Sequence, residues 1–322
     1  MTEQTDRDTT SGRRESTVSD TSYAITTQSL SRRFGRKVAL DEVNVHVPKG
    51  TIYGLMGPNG AGKTTFIRVL LNLLDPSRGA AQVLGFDVVR DTVEVKRRVG
   101  HVASLQPLWD WMKVGEYARF LAGCYPRWDQ EAVSTVLSRV TIADGDTIRD
   151  LSRGQRALVS LAVAIGHQPE LLLLDEALTG LDPISRREVL RNIIDVMHAE
   201  GRTVLITGQD IADMERICDH VGFLVRGRLV WESSREELKE RVKRLRVEHP
   251  GGPPPTVPAG AFAVTQEARE TTFTVSNYSA ELSASLGGDG RRVEVIDLGL
   301  EDIFVDLAQS QLLAAAAAQS EC

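Results

Sequence analysis

Gly57-Pro58-Asn59-Gly60-Ala61-Gly62-Lys63-Thr64-Thr65 fits the pattern G-x-x-x-x-G-K-S/T. It follows a short apolar run, Ile52 to Met56. It precedes a segment in which Ile67, Leu70, Leu71 and Leu74 share one helical face. Strand, glycine loop and helix in that order give the pattern its chemical meaning. The glycines let the loop wrap with its N–H groups inward, and those groups together with the helix N-terminus attract phosphate oxygens. Lys63 then reaches the β- and γ-phosphates of a nucleotide, and the Thr64 hydroxyl can ligate Mg²⁺.

Around this loop the composition is that of an ordinary soluble globular protein. The 322 residues are 42% hydrophobic and 25% charged, which allows about two domains. A net charge of −6 gives no general basic surface, so no nucleic-acid partner is expected. No apolar run approaches the roughly 20 residues of a membrane span. The alanine run from Leu312 to Ala318 is too short, and no signal peptide is visible. Three widely separated cysteines, Cys124, Cys218 and Cys322, argue for a reducing compartment and against a zinc site or disulfide framework.

Residues 1–22 are polar and charged and are expected to be disordered. Strand-like runs at Tyr23–Leu30 and Val38–Val47 flank a basic turn, Ser31 to Lys37. Phe34 in that turn either stacks on a nucleotide base or closes a small sheet. Two further short strands are expected at Gln82–Phe86 and Val99–Ala103. Next comes Gln106-Pro107-Leu108-Trp109-Asp110-Trp111-Met112, whose paired tryptophans mark either a surface to be covered or ordinary core packing. A helical stretch from Val114 to about Val140 is broken at Pro126. Leu151-Ser152-Arg153-Gly154-Gln155 opens the next helix, as a plain N-cap or as an anion-binding start.

Leu171-Leu172-Leu173-Leu174-Asp175-Glu176 has the form of a buried parallel strand ending in two acids, where open α/β sheets bind ligands. There Asp175 can hold Mg²⁺ through its water shell, and Glu176 can polarise an attacking water. Thr179 to Pro183 is a tight turn into an amphipathic helix. A strand at Thr203–Thr207 ends at Gly208-Gln209-Asp210, and a hairpin turns at Arg226-Gly227.

Taken in this order, residues from about Tyr23 to Glu240 resemble the nucleotide-binding domain of an ATP-binding cassette (ABC) transporter, of the single-cassette bacterial type. Phe34 matches the adenine-stacking aromatic, and Gly57–Thr65 the Walker A loop. Gln106 matches the glutamine that senses the γ-phosphate and Mg²⁺, although simple alignment would put Ser104 there. Leu151–Gln155 matches the signature, here LSRGQ; Leu171–Asp175 matches Walker B, with Glu176 as catalytic acid; Leu181-Asp182 matches the D-loop. Two departures stand out. The usual Asp-Glu-Pro-Thr becomes Asp175-Glu176-Ala177-Leu178, and Gln209 occupies the place of the switch histidine. Glutamine donates a hydrogen bond but carries no titratable proton.

The resemblance implies an α/β P-loop core with an antiparallel β edge, a helical subdomain at about 107–166 and a small α+β C-terminal domain. The nucleotide-binding domain is expected over 23–240 and an accessory domain over 241–310, interrupted by a Pro/Gly-rich break at 250–258. A flexible tail is expected at 311–322. ATP and Mg²⁺ are the implied ligands. In this family an ATP site is shared between the Walker A face of one cassette and the signature of another, so a second cassette is implied. A separate membrane permease is implied too, met near Trp109 and Trp111, with the chain on the inner face of the membrane. The lead expectation is an ATP-hydrolysing motor. The alternative is a regulatory or degenerate cassette with impaired hydrolysis; a soluble cassette acting on ribosomes or DNA fits less well.

Overall fold

The computed structural model describes residues 22–104, 108–250, 252–288 and 290–320. Gln106 and the polar segment 1–21 lie outside the described residues.

A five-stranded antiparallel sheet is built from β1 (Tyr23–Phe34), β2 (Lys37–Val43), β3 (His46–Pro48), β5 (Arg78–Val83) and β6 (Phe86–Asp87), with β1 paired to β2, β3 and β5. The basic turn expected at Ser31 to Lys37 is shorter than that. β1 runs on to Phe34, which pairs with Lys37 across Gly35-Arg36, so that Phe34 is a strand-end residue at a tight hairpin. Register shifts at Leu30–Arg33 and left-handed Ser29 and Glu42 let one long strand serve several partners.

The central sheet has the order β11-β10-β4-β9-β8-β7. Its members are β4 (Ile52–Met56), β7 (Val99–Val102), β8 (Leu171–Asp175), β9 (Thr203–Gly208), β10 (His220–Val225) and β11 (Arg228–Ser234). All neighbours are parallel except the β10–β11 hairpin. β4 and β8 are buried along their whole length, which explains their unbroken apolar sequences. Alternation sends Leu171 and Leu173 to one face, where they meet Phe66 and Ile67 of α1 (Lys63–Leu70). Leu172 and Leu174 go to the other face, against α5 (Arg153–Gly166) and α6 (Pro183–Glu200).

Between β7 and β8 the chain forms α3 (Val114–Ala122) and α4 (Gln130–Ser138). The break around Pro126 ends where Asp129 caps α4 by accepting from the Ala132 N–H. α7 (Ile211–Glu215) follows β9, and α8 (Arg235–Arg241) leads out of the cassette.

The C-terminal unit is a second antiparallel sheet in the order β13-β14-β12-β15, from β12 (Lys243–Glu248), β13 (Phe262–Gln266), β14 (Glu270–Val275) and β15 (Arg292–Asp297). Leu245, Val247, Phe273 and Val275 make its small core with Leu286 of α9 (Ala280–Leu286). The last helix, α10 (Leu300–Ser320), extends to Ser320, past residue 310 where the sequence suggested that a flexible tail begins; the alanine run continues the helix instead. Leu300, Ile303 and Leu307 are buried with Ile211, Met214 and Phe223 in the core of the cassette itself. Phe304 tilts onto Phe223 at a centroid distance of 5.3 Å. On its other side α10 is tied to the C-terminal sheet, because buried Asp306 accepts from Arg244 at 2.8 and 2.9 Å and from Thr274.

Candidate functional site

The loop after β4 and the acids after β8 meet because both lie at the C-terminal ends of parallel strands, with β9 between them. The loop geometry depends on glycine at particular positions. A Cβ on Gly57 would fall 2.2 Å from the Leu224 carbonyl oxygen, and Gly62 has φ +114° with the Ala39 carbonyl 2.5 Å from where its Cβ would stand. The Arg226-Gly227 turn braces the loop from outside, the Gly227 N–H donating to the Ala61 carbonyl at 2.8 Å.

Lys63 is almost wholly buried. Its ammonium donates to the carbonyls of Gly57 (2.8 Å) and Pro58 (3.1 Å) and pairs with Glu176 Oε1 at 3.3 Å. The Thr64 hydroxyl donates to Asp175 Oδ1 at 3.0 Å. Thr207 of β9 donates from its hydroxyl to the same oxygen at 3.1 Å and accepts from the Glu176 N–H at 3.1 Å. Thr207 therefore sets both acids at once. In the sequence it was only the last residue of a strand, and nothing marked it as part of the site.

A cavity of about 330 Å³ is lined by Phe34, Lys37, Ala39, Gly60, Gly62, Lys63, Thr64, Thr65 and Glu176. Phe34 is 44% exposed at its mouth, with the Arg32 guanidinium 4.8 Å from the ring centroid. A strand end and a flat apolar surface beside the phosphate loop are thus the same residue. Lys37 and Ala39 also line the cavity and carried no signal in the sequence. Thr64 and Asp175 supply hard oxygen donors beside it, a set suited to Mg²⁺ shared with phosphate oxygens. Among the described residues no three acids, histidines or cysteines gather to hold a metal by themselves.

The other expected site residues lie elsewhere. Ser152 caps α5, accepting from the Gln155 N–H at 3.2 Å, while the Gln155 side chain accepts from the Ser152 N–H at 3.0 Å. Leu151–Gln155 is not among the described residues lining the phosphate cavity. Asp182 lies against this helix start: its carboxylate accepts from the Ser185 hydroxyl at 2.6 Å, which holds it below the usual carboxylate range. Gln209 is exposed at the end of β9 and lines a separate cavity of about 70 Å³ with Thr179, Gly180, Arg186 and Thr207.

The chain and its architecture have counterparts among known proteins. The profile of the ABC transporter family matches residues 40–179. A daunorubicin resistance ATP-binding protein of Streptomyces coeruleorubidus is 37% identical over 222 residues, 67% of this chain and 70% of its own length. The chain belongs to the ABC transporter family. As such it is an ATP-binding subunit with the ATPase fold. A bacitracin transport ATP-binding protein of Bacillus licheniformis is 32% identical over 225 residues, covering 69% of this cassette chain and 74% of the relative. A second daunorubicin resistance ATP-binding protein of Streptomyces coeruleorubidus is 30% identical over 306 residues, 88% of this chain and 95% of the relative, and so reaches through the C-terminal unit. Among solved structures, the ATP-binding subunit of an ABC transporter superposes with a TM-score of 0.61 over 67% of this chain and 92% of that one, at 23% identity. A cassette solved as a post-hydrolysis dimer with ADP and Pi superposes at 0.58 over 66% of this chain and 98% of that one, at 20% identity. No described helix is long and apolar enough to cross a membrane.

Proposed function

We propose that this cassette is the MgATP-driven motor of a transporter whose membrane subunit is a separate chain, and that it works as a dimer of cassettes. The observation that carries this reading is a division of the site. Lys63, Thr64 and Glu176 line one cavity, with Asp175 bonded to Thr64 behind them, whereas the intact LSRGQ helix start is not part of that lining. A second cassette would bring a signature to the phosphates. Relatives named for daunorubicin resistance and bacitracin transport support a cargo of the antibiotic or drug class.

The residues have separable tasks in this reading. ATP entering the cavity draws Lys63 from the loop carbonyls to its β- and γ-phosphates, which releases Glu176 from its ion pair. Glu176 then takes a proton from the water as its oxygen attacks the γ-phosphorus and the bond to the β–γ bridging oxygen breaks, ADP being the leaving group. Phe34 stacks on the base. Mg²⁺ held by Thr64 and Asp175 would neutralise charge on the phosphates.

Gln209 favours a second reading, in which this cassette hydrolyses slowly and is completed by an unlike partner. Its amide makes no side-chain hydrogen bond among the described residues and offers no titratable proton beside Thr207. Misplacing such a group costs on the order of a hundredfold in rate. The experiment is light scattering of the purified chain with and without MgATP, followed by steady-state ATPase of the wild type and Gln209→His. MgATP-dependent dimers with slow turnover that the histidine accelerates are the expected result. Wild-type turnover of about 1 s⁻¹ or more, with no gain from histidine, removes the slow-cassette reading.

A further inference from the structure

We infer that Arg153, the third residue of the signature, is a positioning residue that ties the signature helix to the turn carrying Glu176. This rests on the dimeric reading above only for its effect on hydrolysis.

The contact is specific. Gly180 has φ +71°, and a Cβ placed on it would fall 2.3 Å from Arg153 Nη1 and 2.6 Å from its Cζ. The guanidinium therefore lies against Gly180, in the space that any side chain at 180 would take. The Arg153 side chain makes no hydrogen bond or ion pair among the described residues, so packing on Gly180 is what the structure shows it doing. A second close approach lies beside it. Gly154 packs so tightly on Ser185 that a Cβ would meet Ser185 Oγ at 2.0 Å, and Ser185 in turn holds Asp182.

The turn under the guanidinium is short and strained at its origin. Glu176 has φ +50°, and the Thr179 N–H donates back to the Glu176 carbonyl at 3.0 Å. Gly180 is the next residue. At its other end, the Glu176 N–H is fixed by Thr207. A tight turn clamped at both ends transmits a shift at Gly180 to Glu176 instead of absorbing it. When a second cassette engages the signature, Arg153 moves with the first turn of α5, and the load falls on the segment that aims this chain's own water-polarising acid. The residue thereby links the two halves of a dimer in a way that a small residue at 153 could not.

The test uses the full chain and a double-mutant cycle of Arg153→Gly and Gly180→Ala, read by amide hydrogen exchange of residues 176–182 and by ATPase kinetics. Arg153→Gly tests the contact directly, by emptying the space beside Gly180. It should raise exchange across 176–182 and lower kcat about five- to tenfold, and Arg153→Lys should restore part of each. Gly180→Ala should cost more in the wild-type background than in the Arg153→Gly background, because both carry the strain of φ +71° but only the first meets the guanidinium. Unchanged exchange in Arg153→Gly, or additive effects in the cycle, overturns the inference. Exchange decides the matter even if the chain alone proves inactive, an outcome that would count against the motor reading and not against this contact.

Discussion

Lys63 is the cation of the phosphate loop. Buried, it donates to two loop carbonyls and pairs with Glu176. A charged hydrogen-bond partner is worth about 1.5–3 kcal/mol, so Lys63→Ala should weaken ATP binding by roughly ten- to a hundredfold. A calorimetric titration with unchanged affinity would contradict this assignment. His101 and His167 show the same scale in a different property. Both line a cavity of about 350 Å³ beside α3, with Tyr125 stacked on His167 at 4.1 Å. Burial pushes both below the ordinary histidine value of 6.5, against an opposing pull from Asp175 on His101 and from the Val99 carbonyl on His167; Arg68 and Arg202 push further down. The unfolded chain thus binds more protons than the folded one at mildly acid pH. The stability these groups confer is present above about pH 6.5 and is lost as pH falls below it. The melting temperature should fall between pH 7.5 and 5.5, and the slope should flatten in the His101→Gln, His167→Gln double variant.

Helix α10 belongs to two cores at once. Its Asp306 is bound to the C-terminal sheet, while Leu300, Ile303 and Leu307 sit under the cassette against α7. The Leu300 N–H donates to Glu215 at the end of α7 at 3.3 Å, and Lys239 of α8 reaches the same carboxylate at 2.5 Å. α7 starts just after Gln209, so the C-terminal helix packs against the segment that follows it. Ile303 is fully buried, and Ile303→Ala should cost about 2–5 kcal/mol in chemical denaturation. Val305→Ala on the same helix, 42% exposed, should cost far less. Equal costs would mean that α10 does not share the core of the cassette.

For the molecule as a whole, the conspicuous unpartnered surface is aromatic. Trp109 and Trp111 are 41% and 74% exposed. Their rings stack at 6.1 Å, and Phe120 packs on Trp109 at 4.8 Å. Tyr117 packs edge-on against Trp109 and also lines the cavity holding the two histidines. Aromatic anchors beside a cavity are the groups that dominate protein interfaces, and a separate membrane subunit is the partner proposed for them. Trp111→Ala should leave melting temperature and ATPase essentially unchanged, yet weaken capture of a co-expressed membrane subunit by about tenfold or more. Undiminished capture would place docking elsewhere.

Chemistry that depends on a few contiguous residues was legible in the chain itself. Gly57–Thr65, Leu171–Glu176 and Leu151–Gln155 each carry their meaning within a single turn or strand, because phosphate loops, buried parallel strands and helix caps are local solutions to local constraints. The apolar runs of β4 and β8 likewise dictated that both faces be covered. What covers them was decided only by tertiary packing. The length of β1 depends on three partner strands, and the seating of α10 through Leu300, Ile303 and Leu307 on the cassette core beneath them, neither of which a local pattern encodes. Thr207 and Lys37 entered the site through parallel register and hairpin closure, which bring together atoms far apart in the chain. The contact of Arg153 with Gly180 likewise joins residues 27 positions apart, and only the folded chain sets the distance between a guanidinium and a glycine that leaves room for it.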